Sequence, residues 1–155
     1  PSAQARASAL LAEHDFRRSL AARFPGNVHD PISDDEQIAL YSSSQISLGF
    51  LQVYDRHDPS RGVTRHLHLR EFEAPMSGAL YCTGYMDELA EVFEPDQEVI
   101  VYRNEDELLD KVRYFLAHPE RGDQVRQAGR ARALRDHTYH RRFQTLFREI
   151  GLENR

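Results

Sequence analysis

Two neighbouring segments carry the residue types that bind phosphate and hydroxyl groups, and the first is rich in arginine. Residues 55–70 hold four arginines and two aspartates, a local charge of +2 in a chain of 155 residues with a net charge of −5. The arginine guanidinium is a planar fork that suits phosphate oxygens. This segment therefore favours a phosphate or diphosphate ligand, although the same charges are also typical of a solvated surface loop.

The second segment contains Glu73, which follows Arg70 by three residues and lies between the apolar residues Phe72 and Ala74. A carboxylate accepts two hydrogen bonds from vicinal hydroxyls, as when an acidic residue holds a ribose. The residue pattern by itself favours a plainer interpretation, in which Glu73 is an exposed helical residue or is paired with Arg70.

The pattern disfavours other kinds of site. His66 and His68 are two residues apart, so on a helix they point to different faces and make a poor metal pair. Cys82 is the only cysteine and lies inside an apolar run, which is typical of core packing. We therefore predict no metal and no cofactor, and we assign no catalytic residue.

Alternating strands and helices position these residues. Capping boxes at Ser33–Glu36 and Asn104–Glu107 each predict a helix start. We predict strands at 45–52, 79–83 and 98–102, and helices at 8–24, 33–43, 65–77, 86–93, 104–118, 119–136 and 139–150. This alternation is typical of βαβ crossovers. The fold class is therefore α/β, a Rossmann-like three-layer sandwich with a mostly parallel sheet.

Length and composition predict one domain over residues 1–155, with a C-terminal helix in 137–155. No apolar run approaches 18 residues, so we expect no membrane span. The single cysteine fits a reducing compartment, and we expect a cytoplasmic protein. The acidic net charge disfavours a nucleic-acid binder. A chain of this class normally opens with a strand, and this one opens with a helix. We therefore expect it to be one domain of a longer protein.

The segment Arg70–Leu80, with the sequence REFEAPMSGAL, resembles the R-x-F-E-A-x-A-x-G stretch of group 1 glycosyltransferases, especially the branch related to spore maturation proteins. Several downstream segments resemble that family's tail in the same order. They are residues 87–93, 98–102, 105–108, 114–120, 128–130 and 137–141.

The resemblance implies the C-terminal, donor-binding half of a bacterial-type enzyme with the GT-B fold, a hexosyltransferase that uses a nucleotide-diphosphate sugar. It implies that Glu73 holds the ribose hydroxyls, that Arg70 serves the phosphates or braces Glu73, and that Ser77 and Gly78 line the donor site. Arg65 and Thr64, at the end of the polar loop, complete the candidate binding set. The resemblance also implies that basic groups replace a metal.

This sequence departs from the family pattern at two points. Many relatives carry a second Glu eight positions before the one that matches Glu73, and this chain has Arg65 there. The N-terminal acceptor-binding domain is absent from these residues, so we expect the isolated domain to be inactive. The alternative is a non-catalytic Rossmann-like module that binds a ligand or a protein. A receiver-type domain ranks third, because such domains need an acidic cluster at their strand ends.

Overall fold

The computed structural model describes residues 14–54 and 63–152. Arg56, His57 and Arg61 of the predicted phosphate loop lie outside the described residues. The chain forms two compact units, one of residues 1–36 and 52–66 and the other of residues 37–51 and 67–155. The prediction of a single domain over residues 1–155 stays a prediction.

The observed elements alternate as the sequence predicts. Helix α1 is described over residues 14–23. The elements that follow are α2 (Asp34–Ser43), β1 (Ser47–Leu48), β2 (Gln52–Tyr54), β3 (Val63–Arg65), α3 (Arg70–Met76), β4 (Tyr81–Gly84), α4 (Asp87–Val92), β5 (Ile100–Tyr102), α5 (Glu105–Ala117), α6 (Pro119–Asp136) and α7 (Tyr139–Glu149).

Both predicted capping boxes start a helix. The Ser33 hydroxyl oxygen accepts from the Glu36 backbone N–H at 3.3 Å, and the Glu36 carboxylate accepts from the Ser33 N–H at 2.8 Å. Asn104 Oδ1 accepts from the Glu107 N–H at 2.9 Å. These bonds satisfy N–H groups that have no partner inside the helix, which is why short sequence signals located both helix starts.

The second unit contains a three-stranded parallel sheet in the order β1-β4-β5. Cys82 is aligned with Leu48 on one side and with Ile100 on the other. Successive side chains of a strand point to opposite faces, and both faces are covered by helices. The α/β, Rossmann-like fold class is therefore confirmed.

Alternate residues of the central strand face different parts of the core. Cys82 and Ile100 pack with Phe115 of α5 and Val125 of α6. Burial raises the pKa of the Cys82 thiol to about 12, as expected for a core residue. On the other face, Tyr81 packs with Ala74 of α3 and with Ala79. Val99 and Val101 pack with Leu89, Phe93 and Ala133.

One stretch differs from the prediction. The expected strand at 45–52 is the short strand β1, and the expected helix at 65–77 begins only at Arg70. Between them, β2 and β3 form an antiparallel pair that aligns Val53 with Thr64. The β-branched residues Val63 and Thr64 favour a strand over a helix.

Candidate functional site

Helix α3 carries Arg70 and Glu73 near its start, and both side chains are exposed. The helix lies in the connection between the parallel strands β1 and β4, after β2 and β3, so it is the crossover helix of a βαβ unit. Ligands of open α/β sheets bind beyond the carboxyl ends of the strands, where such a crossover helix begins. Arg70 and Glu73 are therefore exposed near this end of the sheet, and their contact with a ligand stays a prediction.

Glu73 lies at the edge of a small pocket. The pocket has a volume of about 160 Å³. Besides Glu73, its lining residues come from α3 and from the junction of α6 and α7, and they are Leu69, Phe72, Met76, His137, Tyr139 and Arg142. The Arg142 guanidinium lies 4.2 Å from the centre of the Phe72 ring. Glu73 thus has apolar neighbours on one side and solvent on the other.

Glu71, two residues before Glu73, is fully buried at 0% exposure. Its carboxylate accepts from the His68 backbone N–H at 2.6 Å and from the Tyr81 hydroxyl at 2.9 Å. Burial, followed by the charge of Glu71, raises the pKa of Tyr81 well above its ordinary range. Sequence reasoning missed this carboxylate, although helical spacing places it on one face with the buried Ala74 and Pro75.

Tyr81 also contacts the end of β1. A β-carbon added at Gly49 would collide with the Tyr81 hydroxyl and would lie 3.0 Å from Thr83 Oγ1. The Gly49 carbonyl accepts from the Tyr102 hydroxyl at 3.0 Å. A side chain does not fit here, so the requirement for glycine is steric. These contacts join the residue after β1, the first residue of β4 and the last residue of β5 to the start of α3.

Ser77 and Gly78 lie at the opposite end of α3 from Arg70. The Ser77 hydroxyl donates to the Glu73 carbonyl oxygen at 2.7 Å. Gly78 has φ +84°, a left-handed conformation that favours glycine, and its N–H donates to the Pro75 carbonyl at 2.9 Å. Both residues therefore end the helix, and their place in a ligand site stays a prediction.

Thr64 and Arg65 lie on β3, in the first compact unit, and both are exposed. Arg65 is a strand residue and does not start a helix, so the sequence argument that placed it at a helix N-terminus is wrong. Its proposed contact with a ligand stays a prediction.

The sequence model of a family described as glycosyl transferase-like matches residues 4–148. The chain belongs to this glycosyl transferase-like family. Membership supports glycosyl transfer as the general activity. No curated protein and no solved structure matches the chain significantly.

In this glycosyl transferase-like chain, the His137 ring packs against two phenylalanine rings and lies within hydrogen-bond distance of a backbone carbonyl. Its Nε2 lies 2.8 Å from the Val92 carbonyl oxygen, and its ring centre lies 5.2 Å from that of Phe72 and 5.0 Å from that of Phe93. Burial lowers the pKa of His137 below its ordinary value, and the charge of Arg142 adds to this effect. The His137 side chain is half-buried.

A second basic group lies at the carboxyl end of β5. The Arg103 guanidinium lies 4.2 Å from the centre of the Tyr85 ring, and the Tyr85 hydroxyl donates to Asp87 at 3.1 Å. Tyr85 directly follows β4 and Arg103 directly follows β5. Sequence reasoning did not select either residue, because nothing local distinguishes them from ordinary surface positions.

Over 14–54 and 63–152, no three His, Cys, Asp or Glu side chains are grouped in a way that could hold a metal ion. Among the helices of that same part of the chain, none combines the length and the apolar character needed to cross a membrane.

Proposed function

We propose that the chain is the donor-binding domain of a group 1 glycosyltransferase with the GT-B fold, in the branch related to spore maturation proteins. It would move a hexose from a nucleotide-diphosphate sugar to an acceptor. The observation that carries the proposal is Glu73, an exposed carboxylate near the start of the crossover helix in a glycosyl transferase-like chain. There it can accept hydrogen bonds from both ribose hydroxyls.

The diphosphate of the donor needs cationic partners. Arg70 lies at the start of α3 and Arg103 at the end of β5, and both are exposed. Arg65 and Thr64 of β3 join this set in the proposal, as do Ser77 and Gly78 at the far end of α3. Guanidinium groups stabilise a leaving diphosphate through paired charge-assisted hydrogen bonds. The proposed enzyme therefore uses no resident metal or cofactor.

A second domain completes the proposed enzyme. The apolar face of α7 is formed by Tyr139, Phe143, Leu146 and Phe147 together with the C-cap residue Ile150, and these residues are 44–64% exposed. A contiguous exposed apolar face of this kind is typical of a docking surface. We assign it to the acceptor-binding N-terminal domain of a cytoplasmic two-domain protein, without which no sugar is transferred.

The test is a calorimetric titration of the folded chain with UDP, GDP and dTDP. The proposal expects measurable binding of at least one of them and no turnover of the matching nucleotide sugar. A folded sample that responds to none of the three overturns the donor-site assignment.

A second candidate function is a ligand-binding module without catalysis. One observation favours it: Arg65 stands eight positions before Glu73, where the resemblance implies a second Glu near the sugar. The complete gene product discriminates between the two. Release of nucleoside diphosphate from a nucleotide sugar supports the enzyme, whereas binding without any release supports the module.

A further inference from the structure

Helix α3 is too short to hold its own position. It has seven residues, and its N-cap residue Leu69 makes no side-chain capping bond. Isolated helices shorter than about 12 residues are marginal in water, so the position of α3 depends on tertiary contacts. Its first turn carries Arg70 and Glu73, the two residues on which the proposed donor site depends.

Glu71 provides the local anchor of that turn. One carboxylate oxygen accepts from the His68 N–H at 2.6 Å, while the Glu71 N–H donates to the His68 carbonyl at 3.3 Å. These two reciprocal hydrogen bonds between Glu71 and His68 resemble those of a capping box. They connect the first turn to the segment that enters it.

Tyr81 provides the anchor to the sheet. Its hydroxyl donates to the other carboxylate oxygen of Glu71 at 2.9 Å, and both residues are at most 2% exposed. A buried carboxylate is tolerated only where hydrogen bonds replace water. The hydrogen bond between Glu71 and Tyr81 therefore restricts the position of the first turn of α3.

The anchor itself is held by the sheet. The Tyr81 hydroxyl is confined by Gly49, where a β-carbon has no room. The carbonyl of Gly49 is held in turn by the Tyr102 hydroxyl at 3.0 Å. The position of Glu71 is therefore tied to β4 directly and to β1 and β5 through Tyr81.

We propose that Glu71 and Tyr81 are positioning residues of the donor site, which hold the first turn of α3 so that Arg70 and Glu73 meet the nucleotide in register. The inference rests on the proposed function. Neither residue contacts the ligand, because both are buried. They act through α3, and a displacement of about 1 Å in a ligand-holding group can cost about 100-fold in activity.

The first variant is Tyr81→Phe, which keeps the ring and removes the hydroxyl. The expected result is affinity for UDP, GDP or dTDP that falls on the order of 10-fold, with NMR shift changes concentrated in the amides of 68–77. Val125→Ala is the control, because it weakens a core cluster that includes no residue of α3. The control should lose stability and keep its affinity.

The double variant Glu71→Met with Tyr81→Phe separates positioning from stability. Replacing the Glu71 carboxylate together with its Tyr81 donor removes the penalty of a buried charge that has lost one of its two donors, so the unfolding midpoint should recover relative to Tyr81→Phe. The affinity should stay low. Recovery of affinity together with stability overturns the inference, and so does unchanged affinity in Tyr81→Phe.

The two proposals fail differently. If the wild-type chain binds none of the nucleotides, the proposed function fails. If the wild type binds, Glu73→Ala weakens binding and the Tyr81 and Glu71 variants bind like wild type, only the positioning inference fails. If Tyr81→Phe does not fold, the nucleotide affinity of the double variant alone tests the positioning inference.

Discussion

The carbonyl oxygen of Glu98 occupies the place that a β-carbon would need at Gly129. Gly129 is buried on α6, and this close approach brings the helix against the backbone that leads into β5. Gly129 belongs to one of the segments in which the sequence resembles the glycosyltransferase tail. The structure gives its glycine a packing reason, since any side chain would push α6 away from Glu98.

Gly129→Ala is therefore expected to destabilise the chain. Helix propensity alone would favour Ala by about 1 kcal/mol, but the clash is with backbone and cannot be relieved by a rotamer change. We expect a net loss of about 1–3 kcal/mol in unfolding free energy, measured by urea denaturation. Gly122→Ala is the matched control, because its β-carbon would meet a movable Leu80 methyl group at 2.8 Å. A Gly129→Ala variant more stable than wild type would contradict this account.

Glu73→Ala should weaken nucleoside diphosphate binding more than pyrophosphate binding. The carboxylate is assigned to the ribose, and hydrogen bonds to a charged group contribute about 1.5–3 kcal/mol, which is about 10-fold or more in affinity. Calorimetry with UDP, GDP, dTDP and pyrophosphate measures the difference. Glu91→Ala, another exposed helical glutamate, is the control. Equal losses for nucleotide and pyrophosphate would give Glu73 a structural role.

His137 should make stability depend on pH. Burial holds its folded-state pKa below the ordinary 6.5, and Arg142 and Arg132 act in the same direction. The unfolded chain therefore binds the proton more readily, so this contribution is complete above about pH 6.5 and is lost as pH falls toward the lowered value. Urea denaturation between pH 7.5 and 5 should show a shallower pH dependence for His137→Gln than for wild type. Equal pH dependence of the unfolding free energy in the two proteins would show that His137 does not cause it.

The apolar face of α7 should be dispensable for the stability of the described residues. Phe143 and Phe147 are 50% and 44% exposed, and exposed substitutions usually change stability by less than about 0.5 kcal/mol. Phe143→Ser and Phe147→Ser are each expected within that range, while Phe93→Ala, which is 1% exposed, should cost about 3–5 kcal/mol. Large losses in the α7 variants would show that the face is already covered.

Sequence reasoning was accurate where the signal is local. Asn104 and Glu107 are three residues apart and make the bond that their types predict. Helical periodicity placed α5, α6 and α7 within about a residue of their observed bounds. The parallel sheet followed from the alternation of strands and helices, because parallel strands need a crossover.

Sequence reasoning failed where the partner is distant. Residues 63–65 pair with β2 as the antiparallel strand β3, so the helix that was predicted to begin at residue 65 begins at Arg70. The arginines at 56 and 61 lie outside the described residues, so the phosphate loop stays a prediction. Arg103 was missed because its place beside Tyr85 depends on the pairing of β4 with β5.

Glu71 and Glu73 show most clearly which features the sequence determines and which depend on the tertiary structure. The sequence by itself determined the α/β class, the helix caps and an exposed Glu73 in a glycosyltransferase-like segment, since all of these depend on residues a few positions apart. Only the tertiary structure decided that Glu71 is buried against Tyr81 and that Gly49 confines the tyrosine. The physical reason is that a carboxylate can be buried only where folding brings it a donor, and this donor lies ten residues away on β4.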